Sequence, residues 1–435
     1  MNVLPKLNSN RPRPAKSAGR FSALMSSCLG GFFDGFDASI YVLVLFPALA
    51  ELLHTQSHAV VGPYGAMVLA VFMIGWALGA IIFGAMSDQF GRVRIMTFTI
   101  LLYAVSSGLC ALSQTWQEMA ICRFLVGIGI GGEMGAGAIF LSEYFDGGGR
   151  YRALSFMNAS ICAGYMFSAV ANFVLGNWGW RYVFLCGLAP ALLAIYVRLR
   201  LVDSEPKLGE LEKQSPLEPV RLIMSVHLKK TLLILAIAST AIVNWWAVLS
   251  WVPAWINQLV GGLAVTERSV VSFTMYLGSI TAALTALRFV PLLGRKRAFA
   301  LAFAGSLLFD LLLFLCVKQY GPLLITLSYF AGFFAAIPFL YMYTIVPELF
   351  PARIRGTAFG ISIQTGRTFA AIAAIVGGQI IAVCHGLYPL AGSCIALVNL
   401  IGFSVAWLIP EHENYLTLES SWKADPLAND KSLAS

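Results

Sequence analysis

The sequence predicts an all-α integral membrane protein, with twelve transmembrane helices in two six-helix, pseudo-symmetric halves. Composition is the first observation behind this reading. Hydrophobic residues make up 58% and charged residues 11% of the 435 positions, far from the balance of a water-soluble domain. The second is a succession of apolar runs about 18 to 28 residues long, enough to cross a hydrocarbon core of about 30 Å as helix. The third is repetition. Gly91, Arg92 and Arg94, which close the segment that starts with Gly84 and contains Asp88, recur 203 positions later as Gly294, Arg295 and Arg297. Glu143 and Phe145 with Arg150 recur 205 positions later as Glu348 and Phe350 with Arg355. Two separate motifs at nearly one period indicate duplication. Asp88 is not repeated, and Pro291 stands in its place.

The helices are expected to begin near Phe21, Tyr64, Ile95, Glu118, Ala153, Trp180, Thr231, Ser269, Ala298, Pro322, Gly356 and Leu387. This order divides the chain into a basic cytoplasmic tail (1–20), a six-helix domain (21–201), a cytoplasmic linker (202–229), a second six-helix domain (230–410) and a cytoplasmic tail (411–435). The linker, with Pro206, Pro216 and Pro219 among mixed charges, is the longest break in the apolar pattern. Helix 4 is rich in glycine (Gly127, Gly129, Gly131, Gly132, Gly135, Gly137), as close helix packing requires. No strand precedes these glycines, so they do not form a phosphate loop.

The net charge of +8 is a topology signal, and no nucleic-acid partner is expected. With the N-terminus inside, all but five of the 29 Lys and Arg residues fall on the cytoplasmic side, as the positive-inside rule demands. The exceptions are Arg181, Arg268 and Lys318 on the far side and Arg123 and Arg367 within helices. No cleaved signal peptide is expected, because the first apolar segment carries two aspartates and lacks a small-residue cleavage site. The eight cysteines are scattered without a CxxC pair and read as packing residues. His54 and His58, four apart, read as a solvated turn after helix 1 in preference to a metal site.

Ionisable residues inside a span cost at least about 2.5 kcal/mol each on insertion scales, so they mark cavities or partners. Asp34 and Asp37 lie three apart on one face of helix 1, with Tyr41 four further on. Such a pair can take up and release a proton. The alternative is that one of them caps or pairs with a neighbouring helix. Arg123 and Glu133 in helix 4 are about 80° apart around the helix and about 15 Å along it, so they are not each other's partners. Arg123 is expected to pair with a helix 1 aspartate, and Glu133 is a second titrating candidate. A static ion pair is the competing reading for both. Arg367, mid-helix and three residues after Gln364, presents a planar fork that suits a carboxylate. Its competing role is as partner to an acid of the other half. Asp310 in helix 9 is either structural or functional.

Tyr41 in helix 1, Asn244, Trp245, Trp246 and Trp251 in helix 7, Tyr276 in helix 8 and Tyr341 and Tyr343 in helix 10 complete a candidate substrate pocket, since aromatic and amide groups together can stack on and orient a ring. Near the cytoplasmic ends, Glu143, Arg150, Glu348 and Arg355, with Gly84, Asp88, Gly91, Arg92 and Arg94 of the repeated loop, are candidates for an inner gate.

The loop Gly84 to Arg94 matches the GxxxDxxGRxR pattern of the major facilitator superfamily. Beyond that, the chain resembles metabolite:proton symporters of the aromatic-acid and sialate groups over nearly all twelve helices. Asp34-Gly35-Phe36-Asp37 resembles the DGxD of aromatic-acid symporters, and Arg123 to Glu133 resembles the RxxxGxGxGGE of both groups. Leu249-Ser250-Trp251-Val252-Pro253 and Gly366-Arg367 resemble further aromatic-acid motifs. Trp178-Gly179-Trp180-Arg181 resembles WGWR of the sialate group, whose ESP motif is blurred here to Asp203-Ser204-Glu205-Pro206. The resemblance implies a bacterial inner-membrane symporter, functioning as a monomer, that imports a small organic anion by alternating access. Protons are the coupling ion, with no other cofactor and no covalent chemistry. The helix 1 aspartates and the helix 4 Arg/Glu pair would serve the proton and Arg367 the anion. The alternatives are a proton-antiport exporter of a drug or siderophore-like compound and, from another class, a non-transporting membrane sensor.

Overall fold

The computed structural model describes residues 17–90, 92–145, 147–192, 223, 225, 227–286, 292–350 and 355–410. They form α1 (Ser17–Leu52), α2 (His58–Phe90), α3 (Arg92–Cys110), α4 (Trp116–Tyr144) and α5 (Gly147–Leu175), followed by α6 (Trp180–Leu192). The second half runs through α7 (Leu228–Val260), α8 (Val265–Thr285), α9 (Arg295–Cys316), α10 (Pro322–Leu349), α11 (Arg355–Val383) and α12 (Tyr388–Ala406). Twelve helices therefore stand where the apolar runs predict them. Their starts come a few residues earlier than expected where polar residues fill the first turn, as at His58 of α2 and Lys229 and Lys230 of α7.

Two helices are irregular. Within α7, a π-helical turn at Asn244–Val248 and a 3₁₀ turn at Leu249–Trp251 separate Leu228–Val243 from Val252–Val260. Within α12, Tyr388–Ala396 and Asn399–Ala406 are separate segments. Gly294, the glycine kept in the second copy of the repeated loop, has φ 78° as it leads into α9. Only glycine adopts that backbone without strain.

Packing repeats with the duplication, helix n of the first half corresponding to n + 6 of the second. α1 packs on α5 as α7 does on α11, and α2 packs on α4 as α8 does on α10. The halves meet through α2 with α11 and α5 with α8, which are themselves equivalent under the repeat. The glycines of helix 4 do what their spacing predicts. A Cβ on Gly127 would strike the carbonyl of Phe72, and one on Gly131 that of Trp76; conversely, Gly75 and Gly79 of α2 sit on the carbonyls of Phe124 and Ile128. The two backbones therefore touch along four positions. α3 and α9, another equivalent pair, turn exposed apolar stripes outward: Phe98, Leu101, Val105 and Leu109 on one, Leu301, Leu308 and Leu315 on the other. Such stripes suit lipid, where helices satisfy their own backbone groups.

On the side where α1 passes into α2, the two halves are in contact. Asn172 at the end of α5 accepts from Arg268 Nη2 at 3.1 Å and donates to Ser269 Oγ at 2.6 Å, both in α8. His58 lies 3.4 Å from the Tyr388 hydroxyl and stacks on Phe46 at 4.1 Å. His54 is the exposed turn residue the sequence predicts, but half-buried His58 is not, because it opens α2 at the junction with α12.

Candidate functional site

Asp34 and Asp37 are both buried, and despite sharing a face of α1 they have different partners. Asp37 faces α3 and α4. It accepts a short hydrogen bond from Ser107 and an ion-pair contact from Arg123 Nη2 at 3.5 Å. Arg123 Nη1 also donates to the Asp37 carbonyl at 3.2 Å, Nη2 to Ser107 Oγ at 3.2 Å and Nε to Cys110 Sγ at 3.3 Å. The guanidinium carbon lies 5.1 Å from the ring centre of Phe184 and 5.9 Å from that of Phe72. Every face of this cation is thus occupied, within a site that excludes water.

Asp34, one turn earlier, faces Glu133 of α4. Gly30 makes room for the meeting, since a Cβ there would collide with Glu133 Oε1. Neither Glu133 oxygen, nor Asp34 Oδ1, completes a hydrogen bond, although the Tyr103 hydroxyl of α3 neighbours Glu133. An unsatisfied buried polar group costs about 1–3 kcal/mol, more if charged. Two carboxyls facing one another relieve that cost by sharing a proton between their oxygens, which is what this arrangement can do chemically. Asp34 is also within electrostatic reach of Arg367, on α11 of the other half.

Arg367 accordingly stands at the junction of the halves. Its Nη1 donates to Gln364 Oε1 at 2.8 Å, so the expected neighbour is an actual partner. Its guanidinium lies 4.3 Å over the ring of Trp76 from α2, a cation–π contact between halves. Trp76 in turn meets Trp246 of α7 edge to face at 5.8 Å. Beyond Trp246 is a narrow cavity of about 10 Å³, lined by Ser39, Val42, Tyr165, Trp245, Trp246, Leu249, Ser250, Met275 and Tyr276. Tyr165, Trp245 and Tyr276 form three of its walls, with ring centres 5.4 to 6.2 Å apart. The walls are flat and the two serines supply hydroxyls, and in this conformation the space between them holds no more than about one water molecule.

Four other pocket candidates lie away from this cavity. The Tyr41 hydroxyl donates to the Gly65 carbonyl at 3.1 Å, tying α1 to α2. Asn244 accepts from Asn399 at 2.8 Å on the far side of α7. Trp251 packs on Tyr388, and Tyr341 donates to the Ala286 carbonyl at 3.0 Å while its ring meets Phe299. Each hydroxyl or amide that was read as facing the pocket is instead turned toward a neighbouring helix. Of the gate candidates, Gly84 is half-buried near the end of α2 and Arg94 is exposed in α3. Gly91, and the side chains of Asp88, Arg92, Glu143, Arg150, Glu348 and Arg355, lie outside the described residues.

Trp246, read from the sequence as a pocket residue, lines the cavity, and the Tyr343 side chain lies outside the described residues. Sequence reasoning passed over Ser107, Cys110, Trp76 and Tyr165. All are neutral residues in apolar runs, where only position in the fold distinguishes them from packing.

A twelve-helix bundle with buried charges meeting between repeated halves defines a multi-pass membrane transporter. Residues 27–283 match the family described as Major Facilitator Superfamily, and the chain belongs to it. The sialic acid transporter NanX of Escherichia coli strain K12 is 26% identical over 88% of this chain and 94% of its own length. A cis,cis-muconate transport protein of Acinetobacter baylyi is 27% identical over 81% of this chain and 85% of its own. Among solved structures, the proton:xylose symporter XylE bound to 6-bromo-6-deoxy-D-glucose superposes with a TM-score of 0.71 at 19% identity, covering 94% of this chain and all of that one. The fold is shared with it. The protein is a metabolite transporter of this family and not an enzyme.

Proposed function

We propose that the protein is a proton-coupled symporter that imports a small organic anion by alternating access. The observation that carries this reading is a buried Asp34–Glu133 carboxyl pair in one half together with a buried Arg367 held against Trp76 at the junction with the other. With one proton shared on the pair and no substrate, the remaining carboxylate charge and the guanidinium compensate each other. With a second proton on the pair and an anion on Arg367, charge is balanced again. Either ligand alone leaves a buried charge uncompensated, which opposes the movement of the halves. Coupling then follows from electrostatics alone. The relatives' names, sialic acid and cis,cis-muconate, support a carboxylate as substrate, and the Tyr165–Trp245–Tyr276 walls suit a planar one.

The reading extends to topology. The basic tail and linker support cytoplasmic termini, and the protein would work in a bacterial inner membrane as a monomer. The six-helix domains 21–201 and 230–410 would rock about the cavity, and the Asp88 loop with Glu143, Arg150, Glu348 and Arg355 would close the inner side.

The test is uptake of labelled cis,cis-muconate, gentisate and sialic acid by proteoliposomes under an imposed pH gradient. Acid outside should drive accumulation. Stimulation by the opposite gradient would indicate an exporter, and absence of flux for a broad panel of carboxylates would indicate a sensor.

A further inference from the structure

Asp310 of α9 is fully buried and takes no part in the proton or anion sites described above. Its environment is made by two asparagines, each located where a helix departs from regularity. Asn244 opens the π turn of α7, and Asn399 opens the second segment of α12. Asn399 Nδ2 donates toward three oxygens: Asn244 Oδ1 at 2.8 Å, the Ala396 carbonyl at 3.1 Å and Asp310 Oδ2 at 3.4 Å. The Asn244 side chain also faces the Asp310 carboxyl. One carboxyl group therefore joins three helices at the point where two of them are interrupted.

A single π turn disturbs the phase of a helix and is often retained at functional sites. Here the turn carries Trp245 and Trp246 immediately after Asn244, and both rings line the cavity. Trp246 additionally leads to Trp76 and thence to Arg367. A buried carboxyl in a peripheral helix is costly, yet a leucine could fill that volume if packing were the only requirement.

We infer that Asp310 is a positioning residue: through Asn399 and Asn244 it holds the π turn of α7 at the angle that directs Trp245 and Trp246 into the cavity. The inference rests on the cavity being the substrate's seat, but its test requires no substrate. Protein labelled with 5-fluorotryptophan is purified in detergent, and its ¹⁹F lines are assigned by single Trp→Phe variants. Asp310→Ala should displace the Trp245 and Trp246 lines while those of Trp116, Trp178 and Trp180, all in the first half, stay in place. Asp310→Asn, which restores a polar partner of the same shape, should return them. Where Asp310→Ala yields no folded protein, Asn399→Ala severs the same link and should displace the same two lines. Unmoved Trp245 and Trp246 lines, or an equal displacement of all lines, would overturn the inference and leave Asp310 as general packing. If the two lines move as expected but no carboxylate is transported, the proposed function fails and this inference stands.

Discussion

Arg123 and Asp37 form an ion pair at 3.5 Å in which neither side chain has any exposed surface. Removing one member of such a pair strands the other charge. Arg123→Leu should therefore destabilise the protein by about 3–5 kcal/mol. The double variant Arg123→Leu with Asp37→Leu should regain much of that loss, because no charge remains buried. Thermal unfolding in detergent measures both, and a double variant no more stable than the single one contradicts the account.

Asp34 and Glu133 should behave differently from Asp37. Asp34→Asn and Glu133→Gln keep shape but cannot share and release a proton, so gradient-driven accumulation should be lost. Exchange of labelled for unlabelled substrate across the membrane, which needs no net proton movement, should persist in at least one of the two. Undiminished accumulation in both variants would remove the pair from the coupling scheme. The pH dependence has a definite sign: in the wild type, uptake rises as the outside is made more acid, and the two variants lose that response.

Arg367 offers a fork, and Trp76 offers a face. Arg367→Lys keeps the charge but loses the paired donors, which should weaken binding of a carboxylate by about 1.5–3 kcal/mol, ten-fold or more. Trp76→Leu should weaken it less, in the range of about 0.5–2 kcal/mol associated with a cation–π contact. Calorimetric titration with the best substrate of the uptake panel ranks the two. An uncharged ester binding as tightly as its free acid would assign Arg367 to structure.

On the side where α1 passes into α2, Asn172 and Ser269 hydrogen-bond across the halves at 2.6 Å. In a background free of the eight native cysteines, Asn172→Cys with Ser269→Cys should be joined by a short bifunctional thiol reagent, and the joined protein should not transport. Joined protein with full transport would show that these helices do not separate during the cycle.

Much of this was legible in the sequence, for physical reasons. Spans are set by hydrophobicity, so all twelve helices could be placed. Glycines four apart in helix 4 announce a close helix contact, and α2 provides it. A charge in hydrocarbon needs a partner, and Arg123 found the helix 1 aspartate that was expected. Azimuth was not legible. Asp34 and Asp37 share a face of α1 yet meet different residues of α4, Glu133 and Arg123, because they lie about a turn apart along the helix. Asn244 points away from the cavity while Trp245, the next residue, lines it, because successive helix residues diverge by about 100° and the sequence does not say which of them faces the cavity. Neutral contributors such as Ser107 and Trp76 give no signal before folding, since neither carries a charge that demands an explanation.

The glycine contacts between α2 and α4 have a mechanical consequence. Helices whose backbones touch along four positions have no long side chains between them to yield, so this part of the first half behaves as a stiff lever. Any swing of that lever is then taken up at its bearings, the α2/α11 and α5/α8 contacts, and the duplication makes those two bearings alike. In the proposed cycle, a load placed at Asp34 or Arg367 would act on both at once. One proton or one anion near the axis would then be converted into a displacement that grows with distance from it, largest at the two mouths of the transport path.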